Sequence, residues 1–178
     1  MPSGSANAGI KSDALIKQAQ LLVEKLGDRA LVLATAESCT GGLVSALITE
    51  IPGSSNVFDR GFVTYSNEAK TEMLGVPSSL IRNFGAVSPE VARAMAEGTL
   101  KNSRAQITVS ITGIAGPGGG SDEKPVGLVH FATCLIKPDE SHPVCASHEM
   151  RFGDIGRAEI RSEAAHTALK LIDDLIQN

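Results

Sequence analysis

The stretch from Ala30 to Ile48 limits the fold more than any other part of the chain. It opens on an apolar run, Ala30-Leu-Val-Leu-Ala-Thr35, that reads as a buried strand. It closes on Leu43-Val-Ser-Ala-Leu-Ile48, which reads as a helix. Between them lies a polar turn, Ala36-Glu-Ser-Cys-Thr-Gly-Gly42. A strand that turns sharply into a helix is the building unit of layered α/β domains. It sets small hydroxyl and thiol side chains at a sheet edge, beside the free N–H groups of a helix N-terminus, where negative charge is favoured. A serine there can attack as a nucleophile, and the same N–H groups can hold an oxyanion. The stretch also fits a plain capped helix start, with Ser38 or Thr40 as cap and the glycines as turn residues.

The rest of the pattern agrees with a layered fold. Ser12 to Leu26 reads as a first helix, capped by Ser12 or Asp13 and ended by Gly27, with Leu15, Ala19, Leu22 and Leu26 on one face. Val57 to Tyr65 is rich in β-branched and aromatic residues and reads as a strand. Ser66 or Asn67 then caps a short helix that carries Lys70 and stops at Gly75-Val76-Pro77. Ser88-Pro89-Glu90 is a strong helix start, and that helix runs to about Ser103. Gln106 to Ile111 is a short β-rich run, followed by a glycine-rich loop from Thr112 to Ser121. Val126–Ile136 and Val144–Phe152 read as an antiparallel hairpin. A last helix spans about Asp154 to Ile176, with Ala158, Ala165, Leu169, Ile172 and Ile176 inward. Alternating strands and helices followed by a hairpin predict an α/β domain with a mixed sheet. Residues 12–178 form one domain on this reading, behind a loose tail at 1–11.

Composition removes several function classes. No apolar run is long enough for a membrane span. The first nine residues lack the basic and apolar regions of an export signal, so the expected address is the cytoplasm. Net charge is −4, basic residues are scattered, and there is one Tyr and no Trp, which leaves neither a basic stripe nor a stacking platform for nucleic acid. Cys39, Cys134 and Cys145 form an odd set without CxxC spacing, so neither a disulfide framework nor a structural zinc site is expected. No HExxH or comparable pattern suggests a catalytic metal.

Several side chains at predicted element ends could carry chemistry. Tyr65 and Lys70 lie five residues apart across a strand-to-helix turn. In a water-poor pocket a lysine loses affinity for its proton and can take one from a serine. Ser38, Lys70 and the Tyr65 hydroxyl would then do what Ser-His-Asp does elsewhere. Equally, Lys70 fits a solvated helix position and Tyr65 a surface strand position. Cys39 is a rival nucleophile, but none of His130, His142, His148 and His166 has a spacing that makes it the base. His130 and His148 read as packed strand histidines. The loop from Thr112 matches neither GxxxxGK[ST] nor GxGxxG, and it fits a weak anion cradle or a flexible connection alike. Arg157 and Arg161, four apart, share a helix face that could reach an anion or face solvent.

Taken together the motifs resemble the C-terminal domain family of the competence-damage-inducible (CinA) proteins, whose stand-alone members are nicotinamide-nucleotide amidohydrolases. The matching pieces are Thr35-Ala-Glu-Ser-Cys-Thr-Gly-Gly42, Gly61-Phe-Val-Thr-Tyr-Ser-Asn-Glu-Ala-Lys70, Leu74-Gly-Val76, Gly85-Ala-Val-Ser88, Ser110-Ile-Thr-Gly-Ile-Ala-Gly-Pro117, Gly119-Gly-Ser121 and Lys124-Pro-Val-Gly127, in family order. The resemblance implies a three-layer α/β/α sandwich and hydrolysis of the carboxamide of nicotinamide mononucleotide, without metal or organic cofactor. It implies Ser38 as nucleophile, Lys70 as base and Tyr65 as supporting hydroxyl. Glu37, Cys39, Thr40, Gly41, Gly42, Thr112, Gly113, Ala115, Gly116 and Arg161 are the implied substrate contacts, and a homo-oligomer is expected. The other reading is a silent nucleotide-binding or regulatory module of the same family. Many relatives carry an N-terminal molybdopterin-binding-like domain, for which this chain is too short. The family's Gly-Asp-Arg stretch is spaced differently here, as Gly153-Asp-Ile-Gly-Arg157, which leaves Arg157 without an assigned role, while Arg161 keeps its spacing of four from it.

Overall fold

The structure, a computed structural model, describes residues 12–137 and 139–177. The expected tail at 1–11 lies outside them. Five strands, β1 (Leu33–Glu37), β2 (Phe58–Val63), β3 (Ile107–Gly113), β4 (Leu128–Leu135) and β5 (Val144–Arg151), form one mixed sheet in the order β2-β1-β3-β4-β5. β1 runs parallel to β2 and β3, and β3-β4-β5 is antiparallel. The six helices are α1 (Asp13–Asp28), α2 (Leu43–Thr49), α3 (Asn67–Leu74), α4 (Ser78–Phe84), α5 (Pro89–Lys101) and α6 (Arg157–Gln177).

Two cores, one on each face of the sheet, make the three layers. On one face Leu33, Ile107, Val109, Ile111, Val129 and Phe131 meet the buried sides of α1, α2 and α6. On the other, Ala36, Ala132 and Cys134 meet Leu74, Ile81, Val91, Ala92, Met95 and Ala96 of α3, α4 and α5. Alternation along β3 explains the difference between the faces. Its Ile and Val side chains enter the first core, while Thr108, Ser110 and Thr112 donate to the carbonyls of Ala96, Ala92 and Ala86 on the second. The strand is thus fully buried, with the hydroxyls on its second face satisfied. α5 also packs tightly on α3. A Cβ at Gly98 would collide with the carbonyl oxygen of Leu74, the last residue of α3.

The three serine caps are as expected: Ser12, Ser66 and Ser88 accept from Leu15, Ala69 and Val91 N–H. Other expectations shift. α1 runs through Gly27, and its stop is made by Ala30 in the left-handed region (φ 53°). Leu31 N–H donates to Leu26 O and Ala30 N–H to Gly27 O, the paired bonds of a Schellman end. The cap uses residues 29–31, so β1 begins at Leu33 rather than Ala30 and extends through Glu37. α4 is an added helix of about two turns behind Pro77 that no side chain caps. α6 starts at Arg157, which leaves Ala158 exposed and puts Ile160 inward instead. Cys134 and Cys145 face each other across β4–β5 and form a disulfide, contrary to the expectation from an odd cysteine count. The hairpin register creates that pairing.

Candidate active site

Ser38 follows the last residue of β1, and its N–H donates to Ile111 O of β3 at 2.9 Å. The chain leaves β1 toward α2 on one face and leaves β2 toward α3 on the other. Crevices for ligands form where connections diverge in this way, at the carboxyl ends of parallel strands. Ser38 sits in that crevice.

Lys70 comes from the second turn of α3 and is 1% exposed. Its Nζ lies 3.0 Å from Ser38 Oγ, 2.9 Å from Thr64 O and 3.5 Å from Ser66 O. Burial lowers the Lys70 pKa below the ordinary lysine value, and Cys39 and Glu68 offset this in part. The arrangement suits a neutral amine. Two N–H groups can serve the two carbonyls, and the lone pair then faces the Ser38 hydroxyl.

Glu37, expected at the substrate, is turned inward and 0% exposed. Its Oε2 accepts from Gly42 N at 3.1 Å and Val44 N at 3.0 Å. Its Oε1 accepts from Ser45 N at 2.8 Å and Ser45 Oγ at 2.7 Å. The amides at the start of α2, read from sequence as free for an oxyanion, are therefore held by the protein's own carboxylate. Gly41 N–H is also used, donating to Ser38 O, and Leu43 N–H donates to Thr40 O. The N–H groups of Cys39 and Thr40 are bound neither by the helix nor by Glu37.

A cavity of about 300 Å³ opens over Ser38 and Lys70. Cys39, Thr112, Gly113 and Ala115 line it, as do Tyr65, Asn67, Ala86, Val87 and Arg157. Tyr65 is 63% exposed, and its hydroxyl accepts from Arg157 Nη2 at 3.1 Å. Its backbone neighbours Thr64 and Ser66, rather than that hydroxyl, hold the lysine. Arg157 Nη1 also donates to Gly116 O at 2.8 Å, so the guanidinium bridges the glycine-rich loop and Tyr65 beside the cavity. Arg161, one turn further along α6, does not line the cavity. Its Nη2 donates to Thr40 O at 3.0 Å and steadies the turn after Ser38. Asn67 was read only as an alternative cap of α3, and Ala86 and Val87 carried no mark of their own, although Gly61–Lys70 and Gly85–Ser88 were among the matching motifs. In a larger hollow of about 370 Å³ between α3 and α4 the Ser78 hydroxyl accepts from Arg82 Nη1 at 3.2 Å.

Cys39 lines the same cavity, but burial pushes its thiol up to about 12, and no histidine lines the cavity with it. His130 is buried on β4 and His148 half-buried on β5, both with pKa lowered by burial. Among the described residues no group of three or more His, Cys, Asp or Glu could hold a metal ion, and no helix is long and apolar enough to cross a membrane.

Residues 15–176 match the CinA C-terminal domain family. A CinA-like protein of Chlorobaculum tepidum is 50% identical over 147 residues, 82% of this chain and 35% of that protein. The crystal structure of the competence/damage inducible protein CihA from Agrobacterium tumefaciens superposes with a TM-score of 0.87 at 50% identity, covering 92% of this chain and 96% of that one. A CinA superfamily protein from Escherichia coli does so with a TM-score of 0.83 at 30% identity, covering 93% of each chain. The chain spans about a third of the length of the curated relatives it matches.

Proposed function

The chain belongs to the CinA C-terminal domain family, and from that premise we propose that it hydrolyses the carboxamide of nicotinamide mononucleotide to nicotinic acid mononucleotide and ammonia, in pyridine nucleotide recycling. The observation that carries the reading is the 3.0 Å contact between Ser38 Oγ and a buried Lys70 whose pKa is lowered. Ser38 Oγ attacks the carboxamide carbon as Lys70 Nζ takes its proton. The N–H groups of Cys39 and Thr40 are the donors left for the tetrahedral oxyanion, worth roughly 3–4 kcal/mol per donor in studied hydrolases. The ammonium of Lys70 returns the proton to the leaving nitrogen, which departs as ammonia. The neutral amine then takes a proton from water, and the hydroxide hydrolyses the acyl-enzyme. Arg157, the cation lining the cavity, offers charge-assisted bonds to the substrate phosphate.

The test is ammonia release from nicotinamide mononucleotide by the purified protein. Release that Ser38→Ala abolishes supports the reading. Binding of the nucleotide without release makes the chain a nucleotide-binding module.

A further inference from the structure

The nucleophile turn is held by an anion that belongs to the protein. Every backbone N–H that α2 could turn toward a ligand at Gly42, Val44 and Ser45 is bound to Glu37. Glu37 is also the residue before Ser38, so its side chain spans the turn that its own backbone opens. That turn, Ser38–Gly42, is five residues of small side chains with two consecutive left-handed glycines, Gly41 (φ 59°) and Gly42 (φ 95°), and α2 has no side-chain cap from its N-cap residue. Gly41 N–H to Ser38 O and Leu43 N–H to Thr40 O bond locally, and Arg161 holds Thr40 O from α6, but none of these bonds ties the start of α2 back to the end of β1. The carboxylate does so, because both oxygens are used and all four partners can donate. Ser45 Oγ carries the network on to Thr35 Oγ1 of β1 at 2.8 Å.

We propose that Glu37 is the positioning residue of the nucleophile: its buried carboxylate closes the turn from β1 to α2 and so sets Ser38 Oγ against Lys70 Nζ and leaves the Cys39 and Thr40 N–H groups to face the developing oxyanion. Glu37 touches no substrate atom. A carboxylate is required, because an amide at this position turns an NH2 group toward N–H donors on one side or the other, and only Ser45 Oγ can accept from it. The turn then opens wherever a donor has lost its acceptor. A displacement of about 1 Å at a reacting group costs on the order of 10²-fold in rate. The inference rests on Ser38 being the nucleophile, as in the function proposed above.

The test reads Ser38 directly, with a fluorophosphonate probe that phosphonylates an activated serine, and in parallel reads hydrolysis of nicotinamide mononucleotide. Glu37→Gln is expected to slow labelling per folded molecule by at least ~10-fold. The pH midpoint of labelling, which Lys70 sets, should stay that of the parent. In hydrolysis, kcat should fall with KM little changed. Ser45→Ala removes one of the four donors to the buried carboxylate and should slow labelling per folded molecule by about 3-fold, with a lowered Tm. If Glu37→Gln does not fold, Ser45→Ala decides the question. Labelling of folded Glu37→Gln at the parental rate overturns the proposal. So does a raised KM with kcat intact, which would make Glu37 a substrate contact. A parent chain whose Ser38 the probe does not label overturns it as well. A parent chain that is labelled but releases no ammonia defeats the proposed substrate alone, and the labelling rates then still judge Glu37.

Discussion

Replacing Lys70 by methionine keeps the side chain's approximate length and removes its nitrogen, and the two consequences have different pH signatures. The first is kinetic. At 3.0 Å from Ser38 Oγ the amine is in direct transfer range, so its loss should lower kcat by the ~10²–10⁴-fold of a general base, with a smaller effect on substrate binding. In the parent, kcat/KM should rise with pH as Lys70 deprotonates. The second consequence is in stability. Lys70 is 1% exposed and its pKa is lowered by burial from the ordinary 10.5. Between the folded value and 10.5 the unfolded chain therefore binds a proton that the folded chain does not. Stability of the parent rises with pH through that window, at up to about 1.4 kcal/mol per pH unit, and the burial cost is fully present below it. The methionine variant lacks this dependence. It also leaves Thr64 O without its donor, a loss of about 1–3 kcal/mol that does not vary with pH, while Ser66 O keeps the backbone N–H of residue 70. The stability of the variant relative to the parent should accordingly fall as pH is raised, whatever its absolute sign. Urea unfolding of both proteins from neutral to alkaline pH measures the difference, and ammonia release from nicotinamide mononucleotide measures kcat. A stability difference that is flat with pH, or a variant with kcat within a few-fold of the parent, refutes the buried-base reasoning.

Ser38→Ala should abolish turnover while calorimetry still detects nucleotide binding. Cys39→Ala should keep substantial activity, because a thiol pushed up to about 12 is ionised in only ~10⁻⁵ of molecules at neutral pH. Arg157→Ala should raise KM for nicotinamide mononucleotide by about 10-fold or more and leave that for free nicotinamide nearly unchanged, since only the nucleotide presents a phosphate. Tyr65→Phe, which removes only a hydroxyl bound to Arg157, should cost less than Arg157→Ala. Ala30→Gly should raise the stability of the folded chain by up to about 1 kcal/mol in urea unfolding, because it relieves a left-handed alanine at the end of α1.

What the sequence displays is local, and what it hides depends on partners far along the chain. The serine caps of α1, α3 and α5 were legible because cap, first turn and apolar face lie within a few residues of one another. So were the two strands of the hairpin and the placement of Ser38 at a strand end. The end of α1 was not, because a left-handed alanine does a task that glycine usually marks. Glu37 read as a turn residue, since three of its four donors are backbone amides five to eight residues on, which no side-chain identity signals. Arg157 and Arg161 share a helix face by their spacing, but only the first turn of α6 meets the cavity, and that depended on where the helix starts. The Cys134–Cys145 pair needed the β4–β5 register, which follows from the length of a polar loop and not from the cysteines.

The close approach of Gly98 to Leu74 has a consequence for how the chain can vary over time. Position 98 lies on α5, away from the cavity lining, and its surroundings contain no group that reacts. Yet α3 is held there by backbone against backbone, and α3 carries the lysine. Alanine at 98 would lever the end of that helix away from α5 by the thickness of a methyl group. Leu74 belongs to the small core between α3, α4 and α5, and the proposed proton transfer from Ser38 to Lys70 spans 3.0 Å. If the proposed mechanism holds, lineages that drift at this glycine would lose turnover with serine and lysine both intact, and a silent relative could arise in that way.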